Sequence, residues 1–216
     1  TATFGPGILT NGTLGWEVQV TNPVGQNTSS SVNLVPYAGV LVSEVMQASS
    51  GLTTQHEFIE LYNPTANALN LNTLGMHVHV RTGMSTDTDI ALSPLHSIPS
   101  HGFYLIVSTQ SSQESWYSSR DSTYDATAGE LQPNDGMYIS LSATSQAKVL
   151  DKVGWGNQQA PFIENTATPN VNAGQSIQRK PAGGAGAATD TDNNKNDFNS
   201  PSNSITPLGS SAPPQP

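Results

Sequence analysis

The chain has 216 residues, enough for one ordinary domain or one domain plus a fragment. Sixteen Asp and Glu stand against seven Lys and Arg, a formal net charge of -9, which argues against nucleic acid or anionic lipid as a partner because both need clustered bases. There are no cysteines, so disulfides and thiolate sites are excluded, and no apolar run approaches the ~18 to 20 residues of a membrane span.

Ser, Thr and Asn supply 66 of the residues, so solubility comes from hydroxyls and amides rather than charge, as expected of an exported, extracellular or cell-surface protein. The chain begins at Thr1 rather than Met, as expected where a leader or upstream domains have been removed. In chain order, residues 14–21 and 31–35 read as a hairpin, with a third strand near residues 4–9. Short apolar runs of strand length come next at 40–46, 57–62, 76–80, 102–107, 137–141 and 147–153, each bounded by Gly, Pro, Asn or Ser. Residues 113–119 predict a turn or two of helix carrying Trp116 and Tyr117. Short strands with dense turns predict an all-β antiparallel sandwich or barrel. Three parts are expected: a strand segment over residues 1–36, the main domain over 38–198, and a Ser/Pro-rich tail over 199–216 with little apolar content.

An ordered set of motifs then carries a family resemblance. Val40-Leu41-Val42-Ser43-Glu44-Val45 and Glu57-Phe58-Ile59-Glu60-Leu61-Tyr62-Asn63-Pro64 open it. Leu69-Asn70-Leu71 to Gly75, Ile98-Pro99 to Val107, Asp135-Gly136 to Leu141 and Val149 to Gly156 continue it. Ser176-Ile177-Gln178-Arg179, the run from Asp190 to Phe198, and Thr206-Pro207-Leu208-Gly209 close it. The set resembles the lamin tail domain of the bacterial and archaeal extracellular kind. That resemblance implies an immunoglobulin-like antiparallel β-sandwich with a binding or structural role, often as a module of an exported multidomain protein. The family has Gly-Trp where this chain has Gly75-Met76, so Trp155 or Trp116 is expected to replace the lost aromatic. Trp16 to Leu34 lies outside the match and resembles the last strands of an immunoglobulin-like bacterial surface module.

Asp190, Asp192, Asn194 and Asp197 share one polar loop. Alternating oxygens of this kind either wrap calcium, which takes six to eight, or cap backbone amides in successive turns. Lys195 stands where an EF-hand needs Gly. His77 and His79 share a strand face, a spacing that suits zinc with His56, His96 or His101, although a solvent-facing pair reads the same way. Glu44 and Glu60 lie on neighbouring predicted strands. The family resemblance makes them structural, with Asn63 beside them and Arg179 as the expected partner. Asn11-Gly12-Thr13 and Asn27-Thr28-Ser29 are glycosylation sequons. Trp155 is expected in the core, whereas Trp116 is either core or a stacking surface. No Gly-x-Ser-x-Gly, His-Glu-x-x-His or Walker pattern occurs.

These readings point to a non-enzymatic exported surface module, structural or adhesive, whose partners are further copies, other surface proteins or a glycan. Residues 1–36 are too few for a core, so their strand edges are expected to pair in the same chain or with a neighbouring subunit, as in a filament. The alternatives are an accessory domain of a secreted hydrolase or nuclease, and a carbohydrate-binding module.

Overall fold

The computed structural model describes residues 2–9, 13–21, 27–32, 39–47, 56–82, 86–92, 97–126, 131–141, 149–158, 162–181 and 188–216. The chain divides into two units, Thr1–Ala38 and Gly39–Pro216.

The first unit is an antiparallel meander of β1 (Ala2–Leu9), β2 (Thr13–Thr21) and β3 (Asn27–Val32), in that order across the sheet. Trp16 on the central strand stands opposite Pro6 on one side and Val32 on the other. A proline inside β1 suits an edge strand, because it has no N–H to offer a further neighbour. The third strand begins earlier than the apolar run at 31–35 predicts, in Ser-rich chain whose pairing is made by backbone groups. Asn27 is its first residue; Asn11 lies outside the described residues.

The second unit is an all-β sandwich. Its strands are β4 (Leu41–Met46), β5 (Phe58–Tyr62), β6 (Leu69–Asn70), β7 (His77–Thr82), β8 (Thr86–Ala91), β9 (Ser97–Ile98), β10 (Phe103–Ser108), β11 (Ser122–Tyr124), β12 (Gly136–Ser140), β13 (Val149–Gly154) and β14 (Ser176–Gln178). One sheet has the order β11-β10-β5-β4-β14 and the other β13-β12-β7-β8, with β6 and β9 paired separately. All pairs are antiparallel except β10 with β11. The six apolar runs each become a strand. β8 was not legible, because Thr86 to Ala91 alternates Thr with Asp rather than polar with apolar. The predicted helical stretch is a 3-10 segment, Ser115–Ser119.

Period-two alternation fills the space between the sheets. Val42, Val45, Ile59, Leu61, Tyr104 and Ile106 from the first sheet meet Val78, Val80, Met137, Ile139 and Val153 from the second. Each such side chain contributes roughly 1.5–3 kcal/mol by leaving water. Trp155 lies in this core, as does Met76, and its Nε1 donates to the Gln132 carbonyl at 2.7 Å.

The alternation breaks once in β4. The register shifts between Val42 and Glu44, so Val42 and Val45 both face the core although they are three positions apart. A bulge of this kind inserts one extra residue and reverses the facing of the residues beyond it. Glu44 is thereby turned to the outer face.

That outer face is apolar and covered. Met46, Phe58, Leu105 and Val107 pack under Trp116, Tyr117 and Ile205, and Tyr62 and Phe103 pack under Leu208. Trp116 meets Phe58 edge-on, with ring centroids 5.1 Å apart. The C-terminal segment, expected from its composition to be a tail, is therefore a strap across the sheet. Ser202 exchanges two backbone hydrogen bonds with Ser176. Gln178 Nε2 donates to the Ser204 carbonyl and Thr206 Oγ1, and Ser210 donates from N and Oγ to Asp121. At the far end Tyr62 donates its hydroxyl to the Gln215 carbonyl, and Gln215 N donates to the His101 carbonyl. Gly209 runs so close that a Cβ there would collide with the Ser119 carbonyl oxygen. Composition missed the strap because two apolar side chains and many backbone bonds suffice to hold it.

Candidate functional site

The loop from Asp190 to Asp197 is built by turn chemistry. Asp197 is buried, and its Oδ1 accepts from Thr191 N and Oγ1 while its Oδ2 accepts from Asn193 N. Asp190 Oδ1 accepts from Asp192 N, and Asp192 is exposed with φ 53. Asn194 is a clip between segments: its Oδ1 accepts from Gly154 N and Glu164 N, and its Nδ2 donates to the Lys152 carbonyl and Glu164 Oε2.

The four residues predicted as one ligand set are thus divided. Asp190 and Asp197 come together with Glu164, with ligand oxygens within 4.8 Å of one another. Three carboxylates can gather a hard cation, but calcium wants six to eight oxygens and Asp197 has both of its own engaged by the turn. Arg179 Nη1 also lies 4.0 Å from Asp190 and offers that carboxylate a positive charge. Burial, then the nearby Asp151 and Asp190 charges, pushes the Glu164 carboxyl well above its ordinary range. Sequence spacing did not reveal Glu164, which reaches the loop from a different turn.

Arg179, directly after β14, joins the two sheets. Its Nη2 donates to Asp151 Oδ2 at 2.6 Å, its Nε to the Val42 carbonyl at 2.8 Å and its Nη1 to the Thr189 carbonyl at 2.7 Å. The guanidinium stacks over Phe198, 4.6 Å from the ring centroid. Asp151 Oδ2 also accepts from Val42 N. Burial pushes the Asp151 carboxyl up, and the Arg179 guanidinium opposes the rise. The partner of Arg179 is therefore Asp151, not the expected Glu44 or Glu60. The signal was present: Asp151 stands two residues before Val153, so period two points it into the core.

Glu44 and Glu60 are direct cross-strand neighbours, 2% and 3% exposed. Ser43 Oγ donates to Glu60 Oε1 at 2.6 Å and Leu208 N donates to Glu60 Oε2. Glu44 Oε1 is buried without a hydrogen-bond partner. Burial, then the neighbouring Glu44 charge, pushes Glu60 up to about 8. Burial pushes Glu44 up to about 7, moderated by Ser176, Gln178 and the Thr206 backbone. Asn63 closes the same strand end: its Nδ2 donates to the Asn67, Ile98 and Pro99 carbonyls, and its Oδ1 accepts from Thr65 N and Oγ1.

The histidines go to separate partners. His56 Nδ1 lies 3.0 Å from Glu114 and His77 Nδ1 3.1 Å from both Asp89 oxygens. His79 is buried, 3.0 Å from Ser140 Oγ and stacked on Tyr138. His101 sits in a turn at φ 49, and His96 lies outside the described residues. Among the described residues, no three histidines are brought together as metal ligands. Compared with known proteins, the chain matches no family model, no curated protein and no solved structure.

Proposed function

We propose that this chain is a non-enzymatic structural module of an exported surface assembly, and that its N-terminal meander connects one subunit to the next. The observation that carries this reading is the meander itself. Thr1–Ala38 forms a compact unit of three strands in one layer, and a chain of that length buries too little surface for a core of its own. A single sheet gains stability by laying its face or edge on another chain, and a strand edge offers its N–H and C=O row as a template. Of the two edges, β1 carries Pro6 and β3 carries neither proline nor charge, so β3 is the edge suited to receive a further strand.

Two further features support the reading. Four buried polar side chains of the sandwich serve its own architecture: Asn63, Asp151, Arg179 and Asn194 hold backbone groups of distant segments. The hydroxyl-rich, base-poor composition suits an extracellular surface. On the motif order in the sequence we take the sandwich to be immunoglobulin-like and of the lamin-tail kind.

Deletion of residues 1–38 tests the proposal. The truncated protein is expected to remain a folded monomer by light scattering, while the full chain forms higher assemblies visible by electron microscopy. Equal assembly by both forms, or a monomeric full chain at high concentration, overturns it.

A further inference from the structure

The outer face of the five-stranded sheet holds two buried carboxyls that lack a cation. Among the described residues, no Lys, Arg or His forms an ion pair with Glu44 or Glu60. Directly opposed residues on antiparallel strands have Cβ atoms ~4.5–5.5 Å apart, and two ionised carboxylates at that separation without water repel strongly. Some positive charge must therefore accompany the pair.

The surroundings leave room for the smallest one. Both Glu60 oxygens already accept, from Ser43 Oγ and Leu208 N, and neither donor brings a net charge. Glu44 keeps a buried oxygen without a partner. Ser176, Gln178 and the Thr206 backbone bond to Glu44 and likewise bring no net charge, so a proton is the group that keeps the pair from carrying two negative charges.

We propose that Glu44 and Glu60 share one proton and thereby latch the C-terminal strap, Ser202 to Gln215, onto the outer face of the sheet, releasing it when that proton is lost. The coupling runs through named contacts. The Leu208 amide donates to Glu60, and Gln178, which lies opposite Glu44 on β14, donates to the strap at Ser204 and Thr206. Loss of the proton places a second negative charge under Leu208 and Ile205, where water can reach it only if the strap lifts. Burial holds both carboxyls up, Glu60 the higher at about 8, so the last proton leaves at mildly alkaline pH.

Other groups on this face hold the strap. On β5, burial pushes the Tyr62 phenol up, so it keeps its proton and its bond to Gln215. Asp121 holds Ser210 through charge-assisted bonds. The facing residues on β10 and β14, Leu105, Ser176 and Gln178, do not titrate. The strap therefore hinges on Asp121 and Tyr62 at its distal end and opens first near Ile205 and Leu208.

Hydrogen exchange of the full chain, read by mass spectrometry at about pH 6 and about pH 9 and corrected for intrinsic rate, tests the latch. Protection of strap peptides containing Leu208 is expected to fall at least about tenfold between the two, the effect of a tenfold difference in proton affinity between seated and released strap, while β5 and β10 stay protected. In Glu44→Gln the like charge is gone while burial still lifts Glu60, so strap protection is expected to fall by clearly less than in the wild type. An unchanged wild-type strap, or the same loss in Glu44→Gln, overturns the proposal. So does strap protection that falls on adding EDTA at about pH 6, because a metal ion and not a proton would then neutralise the pair.

Discussion

Two buried acidic sites in the sandwich solve the same problem in opposite ways. Asp151 lies between the sheets with Arg179 on it, and the guanidinium also binds two carbonyls and a ring. Glu44 and Glu60 lie on the outer face with each other for company and, among the described residues, no base in ion-pair contact. A guanidinium stays charged at any pH a protein meets, so the first site is a fixed staple. A pair of carboxyls is neutralised only by solvent protons, so the second depends on pH. The difference shows that burial of an acid does not by itself announce a role; the source of its compensating charge does.

The comparison breaks most sharply at the staple. Arg179→Ala leaves Asp151 buried and unpaired, and unfolding by denaturant is expected to show a loss of about 3–5 kcal/mol. Arg179→Met with Asp151→Leu should recover most of that loss, since replacing both charges by apolar groups is often neutral. A double variant as unstable as the single one would mean that the carbonyl bonds of Arg179, not the ion pair, hold the sheets.

The carboxyl pair sharpens the contrast through pH. A carboxyl held up in the folded state binds its proton more tightly there than in the unfolded chain. The resulting stabilisation is whole below the ordinary Glu value of 4.5 and is lost as pH rises through about 7 for Glu44 and about 8 for Glu60. Asp135, pushed by burial to about 7, adds to the same trend. Stability is expected to fall by several kcal/mol between about pH 5 and about pH 8.5, since each tenfold difference in proton affinity between folded and unfolded chain is worth about 1.4 kcal/mol. Denaturation midpoints that rise over this interval would contradict the assignment of these carboxyls as proton-holding.

Smaller effects separate the strap from the core. Gly209→Ala drives a Cβ into the Ser119 carbonyl, and an overpacked contact of this kind typically costs about 1–3 kcal/mol. Strap peptides should exchange faster in this variant while β12 and β7 do not. The smallest effect is expected at Glu164, Asp190 and Asp197. With three ligands and the Asp197 oxygens engaged in the turn, millimolar calcium should move the melting temperature by less than about 2 °C relative to EDTA. A larger rise, abolished in Asp190→Asn, would make this group a genuine calcium site.

Much of this was legible in the chain. Alternating apolar residues bounded by turn formers identified six of the sandwich strands, because period two is a property of each strand alone. Adjacency of Glu44 and Glu60 came from two consecutive strands, and Trp155 read as core because a chain this poor in aromatics spends them on filling its interior. Tertiary structure decided the rest. Thr86 to Ala91 became a strand because β7 offered a free edge, and the strap became ordered because the outer face of the sheet is apolar. Arg179 chose Asp151 over the glutamates because a bulge at Ser43 turned Glu44 away from the core while period two turned Asp151 into it. Local pattern thus determined what each segment is. Which charges meet depended on register and on the face each strand presents, and those are set only when the sheets close on one another.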